Sequence, residues 1–106
     1  MTEFIQITTT TGNRQDAEQI AADLISRRLA ACVQVNGPIA STFRWQGKVE
    51  TAEEWACVIK TIRTQFAAVQ AALAEIHPYE VPEIIAVPIV EGNAAYLKWL
   101  EEQAGS

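Results

Sequence analysis

Hydrophobic residues recur along the chain with either the two-residue period of a strand or the 3.6-residue period of a helix. The order of these segments predicts the fold. The stretch FIQITTTT, Phe4 to Thr11, is rich in β-branched residues and predicts a first strand. After a break at Gly12, Asn13 is a suitable helix N-cap, with Asp16 three residues later. Apolar residues then recur at helical spacing between positions 17 and 25, which predicts a helix closed by two arginines.

The next segment predicts a long β-hairpin. Apolar and polar residues alternate from Ala31 to Trp45, interrupted at Gly37-Pro38, where we expect a bulge or bend because proline cannot donate to a ladder. Gln46-Gly47-Lys48 predicts a tight turn, and a return strand runs from Val49 to about position 61. Each arm exceeds the usual five or six residues, so the ribbon should protrude and invite pairing with another copy.

The second half predicts a helix, a strand and a terminal helix. Thr64 is the expected cap of the second helix, which should end near His77 because of the following proline. Residues 83–90 are almost wholly apolar and predict a strand covered on both faces, although Pro88 favours a bulge or an edge. Asn93 is the expected cap of a short last helix.

This order of elements predicts an α+β fold of the ferredoxin-like βαββαβ type, with an extended β2–β3 hairpin and a C-terminal helix. The expected sheet is antiparallel, with the helices on one face. A chain of 106 residues is the size of one domain, so we treat residues 1–106 as a single unit.

Composition narrows the function classes. The net charge is −5 and the eight Lys and Arg residues are scattered, so we expect no nucleic-acid partner. No stretch approaches the length of a membrane span, and the N-terminus lacks the pattern of a signal peptide. Two cysteines are too few for a disulfide framework. We therefore expect a cytoplasmic protein with reduced thiols.

Five stretches carry a family resemblance. They are RLAACVQV (28–35), STFRWQGKVE (41–50), IKT (59–61), IHPYEVPEIIAVP (76–88) and YLKWL (96–100). In this order and spacing the chain resembles the CutA family of divalent-cation tolerance proteins. The resemblance implies a homotrimer formed through the long hairpin, similar in architecture to PII signalling proteins. It also implies a role in tolerance of divalent metals, with copper the usual proposal, and no enzymatic activity.

Four side chains are candidate metal ligands: Cys32, His77, Glu80 and Glu83. Cys32 matches the family's cysteine and would offer a soft thiolate to Cu(I), but a strand cysteine is also often a small buried hydrophobe. His77 is the one imidazole of the chain, in a loop stiffened by Pro78 and Pro82, and could equally be an idle helix-end residue. One Cys and one His cannot close a structural zinc site. Any copper or other divalent cation should therefore bind weakly, and no cofactor is required for folding.

A second candidate site is a cleft between subunits, implied by the resemblance and formed by Lys60, Thr61 and Tyr79. A lysine there would favour a small anion over a cation, although an ordinary exposed lysine is the default expectation. Phe43 and Trp45 on the hairpin are the expected trimer contacts, since large aromatics commonly anchor interfaces. Phe43 stands where the family commonly has a tyrosine.

Three functions follow as expectations. The preferred one is a trimeric metal-tolerance protein whose partners are metal ions and copies of itself. The alternatives are a PII-like sensor of a small anion and a purely structural trimeric scaffold. No phosphate-binding glycine loop, paired carboxylates or marked nucleophile predicts an enzyme.

Overall fold

The structure, a computed structural model, describes residues 3–105. Its elements in chain order are β1 (Phe4–Thr11), α1 (Arg14–Ser26), β2 (Cys32–Trp45), β3 (Lys48–Ile62), a 3₁₀ turn (Arg63–Gln65), α2 (Phe66–Ile76), β4 (Ile85–Pro88) and α3 (Ala94–Ala104). The order is the predicted βαββαβ with a terminal helix.

The four strands form one antiparallel sheet in the order β2-β3-β1-β4. Helices α1 and α2 cover one face, where Ile7, Ile20, Ile59 and Leu73 form the centre of the core with less than 2% exposure each. The α+β fold class is therefore confirmed. Placing every helix on one face was wrong: Leu100 of α3 packs with Ile62 in a second cluster, and strand alternation puts Ile62 on the face opposite Ile59.

Helix α1 begins as its sequence predicts. The Asn13 side chain accepts a 2.8 Å hydrogen bond from the backbone N–H of Asp16. The Asn13 amide also donates to the Asp16 carboxylate at 3.1 Å. The first bond satisfies a free backbone donor of the first turn, and the second ties the two side chains together, so the pair fixes where the helix begins after β1.

The hairpin is as long as predicted, with arms of 14 and 15 residues. Its register shifts between Asn36 and Ile39, which confirms an irregularity at Gly37-Pro38. At the tip, Gln46 and Gly47 both have positive φ, 51° and 81°. Two positive φ values are typical of a type I′ turn, whose twist matches that of the flanking strands.

Two predictions about the second half were wrong. Thr64 does not cap α2, because a 3₁₀ turn precedes that helix and Gln65 occupies its N-cap without a side-chain bond. The strand predicted over 83–90 is shorter and is not covered on both faces. β4 is an edge strand that pairs only with β1, and Ile85 and Val87 are 55% and 49% exposed. Pro88 ends it, as expected of an edge.

Candidate functional site

Cys32 begins β2 on the sheet face that α3 partly covers. It is half-buried and pairs in register with Lys60 of β3. The Tyr96 hydroxyl of α3 lies near the Cys32 thiol, and burial, followed by that thiol, raises the pKa of Tyr96. Cys32 is therefore a reachable soft sulfur held between a phenol and the sheet.

The second thiol, Cys57, lies on the opposite face in the core. Its side chain is completely buried against α1, with Sγ 3.5 Å from the Ala17 carbonyl oxygen. Burial raises the pKa of Cys57 to about 11, so its reactive thiolate form is rare at neutral pH. Cys57 acts as a small hydrophobic residue.

His77 caps the end of α2, and both of its ring nitrogens are engaged. Nε2 lies 2.9 Å from the carbonyl oxygen of Thr10, and Nδ1 accepts a 3.1 Å hydrogen bond from the backbone N–H of Tyr79. A carbonyl only accepts, so the ring proton must sit on Nε2 and the lone pair on Nδ1. In this tautomer no nitrogen lone pair is left for a metal ion.

Tyr79 joins the loop after α2 to the hairpin. Its hydroxyl donates a 2.8 Å hydrogen bond to a carboxylate oxygen of Glu54 on β3, a residue only 9% exposed. Burial, followed by Glu54, raises the pKa of Tyr79 to about 12. Glu54 was not among the predicted site residues. The strand pattern placed it in the return arm, but nothing local in the sequence indicates a bond to a residue 25 positions away.

The four predicted metal ligands are not brought together within one protomer. Cys32 is level with Gln6 of β1, whereas His77 contacts Thr10, four residues or about 13 Å further along that strand. Glu80 and Glu83 are exposed in the loop. Across residues 3–105, no group of three or more His, Cys, Asp or Glu side chains is arranged to hold a metal ion.

The predicted cleft residues are also separated within a protomer. Lys60 donates a 2.9 Å hydrogen bond to the Gln34 side chain. Thr61 is completely buried and faces the other side of the sheet, where its hydroxyl donates to the Leu29 carbonyl at 2.7 Å. Tyr79 contacts Glu54, six residues or about 20 Å along β3 from Lys60. Only a second copy could bring Lys60 and Tyr79 to one cleft.

The hairpin carries its aromatic residues on the surface. Phe43 and Trp45, on one face of the ribbon, are 42% and 46% exposed, and Val49, which pairs with Arg44 on the other face, is 63% exposed. On α3, Tyr96 and Trp99 form a second exposed aromatic pair with ring centroids 5.5 Å apart. No helix within residues 3–105 is both long and apolar enough to cross a membrane.

A groove of about 390 Å³ lies between α2 and the loop that follows it. Its lining includes Gln70, Ala74, His77, Tyr79 and Glu80. The groove is open to solvent, and the hydrogen bonds of His77 and Tyr79 fix one of its walls.

Known proteins of closely similar sequence span the whole chain. Residues 5–103 match the family described as CutA1 divalent ion tolerance protein. The chain is 41% identical to the divalent-cation tolerance protein CutA of Thermus thermophilus over 99% of its length and 100% of that protein. It is also 41% identical to the protein of that name from Archaeoglobus fulgidus, over 96% of this chain and 97% of that one.

Solved structures show the same architecture. The CutA structure from Xylella fastidiosa superposes with a TM-score of 0.92 at 39% identity, covering 95% of this chain and 97% of that one. The CutA1 structure from Shewanella sp. SIB1 gives 0.94 at 36% identity, covering 98% and 97%. The Thermus and Archaeoglobus relatives of this chain are named as tolerance proteins rather than as enzymes. With this match along sequence and fold alike, the chain belongs to the CutA1 family of divalent-ion tolerance proteins.

Proposed function

We propose that this chain is a homotrimeric divalent-cation tolerance protein that binds soft metal ions, copper foremost, weakly through Cys32. Full-length similarity to proteins named for divalent-cation tolerance carries the proposal. Catalysis is not part of it, and the expected cellular location is the cytoplasm.

Cys32 is the residue best suited to a soft metal. Thiolates select Cu(I) over harder cations. Of the two thiols, Cys32 is half-buried at the surface, whereas Cys57 is fully enclosed. Because no multi-ligand cluster lies within residues 3–105, binding should be weak and should not be needed for folding. A tighter site would need ligands from a second protomer.

Self-association is supported by the hairpin surface. Phe43 and Trp45 expose aromatic area on one face of the ribbon, near its end, in a protomer 44 Å long. Soluble monomers seldom expose contiguous apolar patches of this kind outside interfaces. The sheet also has two free edges, β2 and β4, whose unpaired backbone groups can accept strands of other copies.

The test is Cu(I) affinity by competition with a chelator, at a fixed protein concentration. We expect Cys32→Ser to weaken binding more than tenfold, about 1.4 kcal/mol. Cys57→Ala is the matched thiol control and His77→Asn the imidazole control, and both should bind like the wild type. Equal affinity in all four proteins would reject Cys32 as the ligand, and loss in His77→Asn alone would move the site to the loop.

An anion sensor is the second candidate, favoured by one observation. The Lys60 ammonium group is bonded to the neutral Gln34 side chain, and its neighbour in register on β1 is Gln6, also neutral. A cation so placed can attract a small anion. Calorimetric titration with phosphate and with dicarboxylates tests it: binding that Lys60→Gln abolishes and Cys32→Ser leaves intact would replace the metal proposal.

A further inference from the structure

His77 is placed to sense pH, because its two ring nitrogens play opposite roles. Nε2–H donates to the Thr10 carbonyl of β1 at 2.9 Å, and Nδ1 accepts from the Tyr79 N–H at 3.1 Å. The rings of His77 and Tyr79 are 5.0 Å apart, and the Tyr79 hydroxyl then bonds Glu54 at 2.8 Å. One chain of contacts therefore runs from β1 through the imidazole to the hairpin.

We propose that His77 is a pH-operated latch that closes the loop 77–83 against the sheet while its ring is neutral and releases Tyr79 when the ring is protonated. The inference is independent of metal binding. It assigns the only histidine of the chain a role in conformation.

Protonation acts directly on one of the two bonds. A proton taken from solvent occupies the Nδ1 lone pair and turns that atom from an acceptor into a donor. The Tyr79 N–H then faces another N–H at about hydrogen-bond distance, so it loses its acceptor and is repelled. The Nε2–H bond to Thr10 is unaffected, so the ring stays near β1 while the backbone at Tyr79 moves away.

Burial and the surrounding charges set the pH at which the latch opens. Burial lowers the pKa of His77 below its usual value of 6.5. The Thr10 carbonyl acts in the opposite direction, as do the carboxylates of Asp16 on α1 and Glu54 on β3. The loop itself carries two more carboxylates, Glu80, which lines the groove with His77, and Glu83. The latch is therefore closed at neutral pH and opens only as the pH falls below 6.5, through the lowered pKa of His77.

Opening would change two surfaces together. The groove beside α2 would lose the wall formed by His77 and Tyr79. The Glu54 carboxylate would lose its phenol donor where the hairpin register shifts, since Glu54 pairs with Ile39 at that irregularity. Protonation of His77 would thus break a hydrogen bond at the base of the hairpin.

The experiment is an NMR titration of the full-length protein labelled with nitrogen-15, in which a single histidine gives an unambiguous signal. At pH 7.5 the ring nitrogen shifts should show the Nε2–H tautomer. As pH falls below 6.5 the ring should protonate, and the exchange protection of the Tyr79 amide, corrected for the intrinsic pH effect, should fall by roughly tenfold with the same midpoint.

His77→Asn is the matched variant. An asparagine side-chain oxygen can accept the N–H two residues on, as in an Asx-turn, but it does not titrate. Tyr79 protection should then lack the acidic step. The proposal is overturned by an Nδ1–H tautomer at pH 7.5, by a ring that stays neutral until the protein unfolds in acid, or by unchanged Tyr79 protection as the ring protonates. The same step in His77→Asn would also overturn it.

Discussion

Gly37 lies directly against the indole of Trp55, at the point where the two arms of the hairpin change register. A Cβ atom on Gly37 would come within 2.7 Å of Cε3 of Trp55 and 3.0 Å of the Glu54 carbonyl oxygen. The indole is also contacted by the Arg14 guanidinium, 5.6 Å from the ring centroid. The absence of a side chain at Gly37 lets β2 cross Trp55 closely.

Gly37→Ala should therefore destabilise the protein by about 1–3 kcal/mol, the usual cost of overpacking. Chemical denaturation at a fixed protein concentration measures it. Gly12→Ala is the control, since its nearest atom is the Tyr79 hydroxyl oxygen at 3.4 Å, an ordinary contact. If the clash is the cause, the cost should shrink when Trp55→Leu is introduced first. A cost that does not change in that background would contradict the explanation.

Tyr79→Phe removes one hydroxyl from the bond between the loop and the hairpin. Glu54, only 9% exposed, would lose its donor, so we expect a loss of about 1–3 kcal/mol in the free energy of unfolding. Tyr96→Phe is the matched control: its hydroxyl lies near the Cys32 sulfur, a weak acceptor, rather than a buried carboxylate, so the effect should be smaller. Equal losses in both variants would show that the hydrogen bond to Glu54 contributes no more to the free energy of unfolding than the contact of Tyr96.

The same bond predicts a pH dependence at the alkaline end. The folded pKa of Tyr79 is raised from 10.0 to about 12, so the fold favours the neutral phenol. The contribution to stability is full below pH 10 and is lost as the pH rises through 12, because the unfolded chain releases that proton first. Ultraviolet titration of tyrosinate should show one late phase that Tyr79→Phe removes.

Most of the fold could be predicted from the sequence because helix starts, turns and strand irregularities depend on interactions between residues close together in the chain. The Asn13 cap, the Gly47 turn and the irregularity at Gly37-Pro38 each depend on residues close in sequence, and each was confirmed. The coverage of β4 was mispredicted because an apolar run does not reveal whether another element packs on it. Ile85 and Val87 are exposed since their strand lies at the edge.

The site was harder to predict than the fold, because its bonds join distant residues. His77 and Tyr79 were predicted as site residues, but their partners, Thr10 and Glu54, are 67 and 25 residues away. Thr61 was expected in a cleft with Lys60, its neighbour in sequence. Strand alternation sends adjacent side chains to opposite faces, and Thr61 is buried against Leu29.

The two thiols should differ strongly in reactivity. Cys57 is fully buried and its pKa is raised from 9.0 to about 11, which lowers its thiolate fraction about a hundredfold at pH 8. Brief alkylation of the native protein followed by peptide mass mapping should find the label on Cys32 in at least roughly tenfold excess. In denaturant both should react equally. Preferential labelling of native Cys57 would contradict the burial that defines its role.

Assembly through the hairpin gives the last prediction. Wild type at micromolar concentration should sediment at three times the 11.7 kDa chain mass. Trp45→Ser removes an exposed aromatic from the ribbon and should weaken association by at least about 2 kcal/mol per interface, the scale of an aromatic hot spot. Val81→Ser, at a 69% exposed position outside the hairpin, is the control and should stay trimeric. Monomeric wild type would contradict the assembly, and equal dissociation of both variants would place the interface elsewhere.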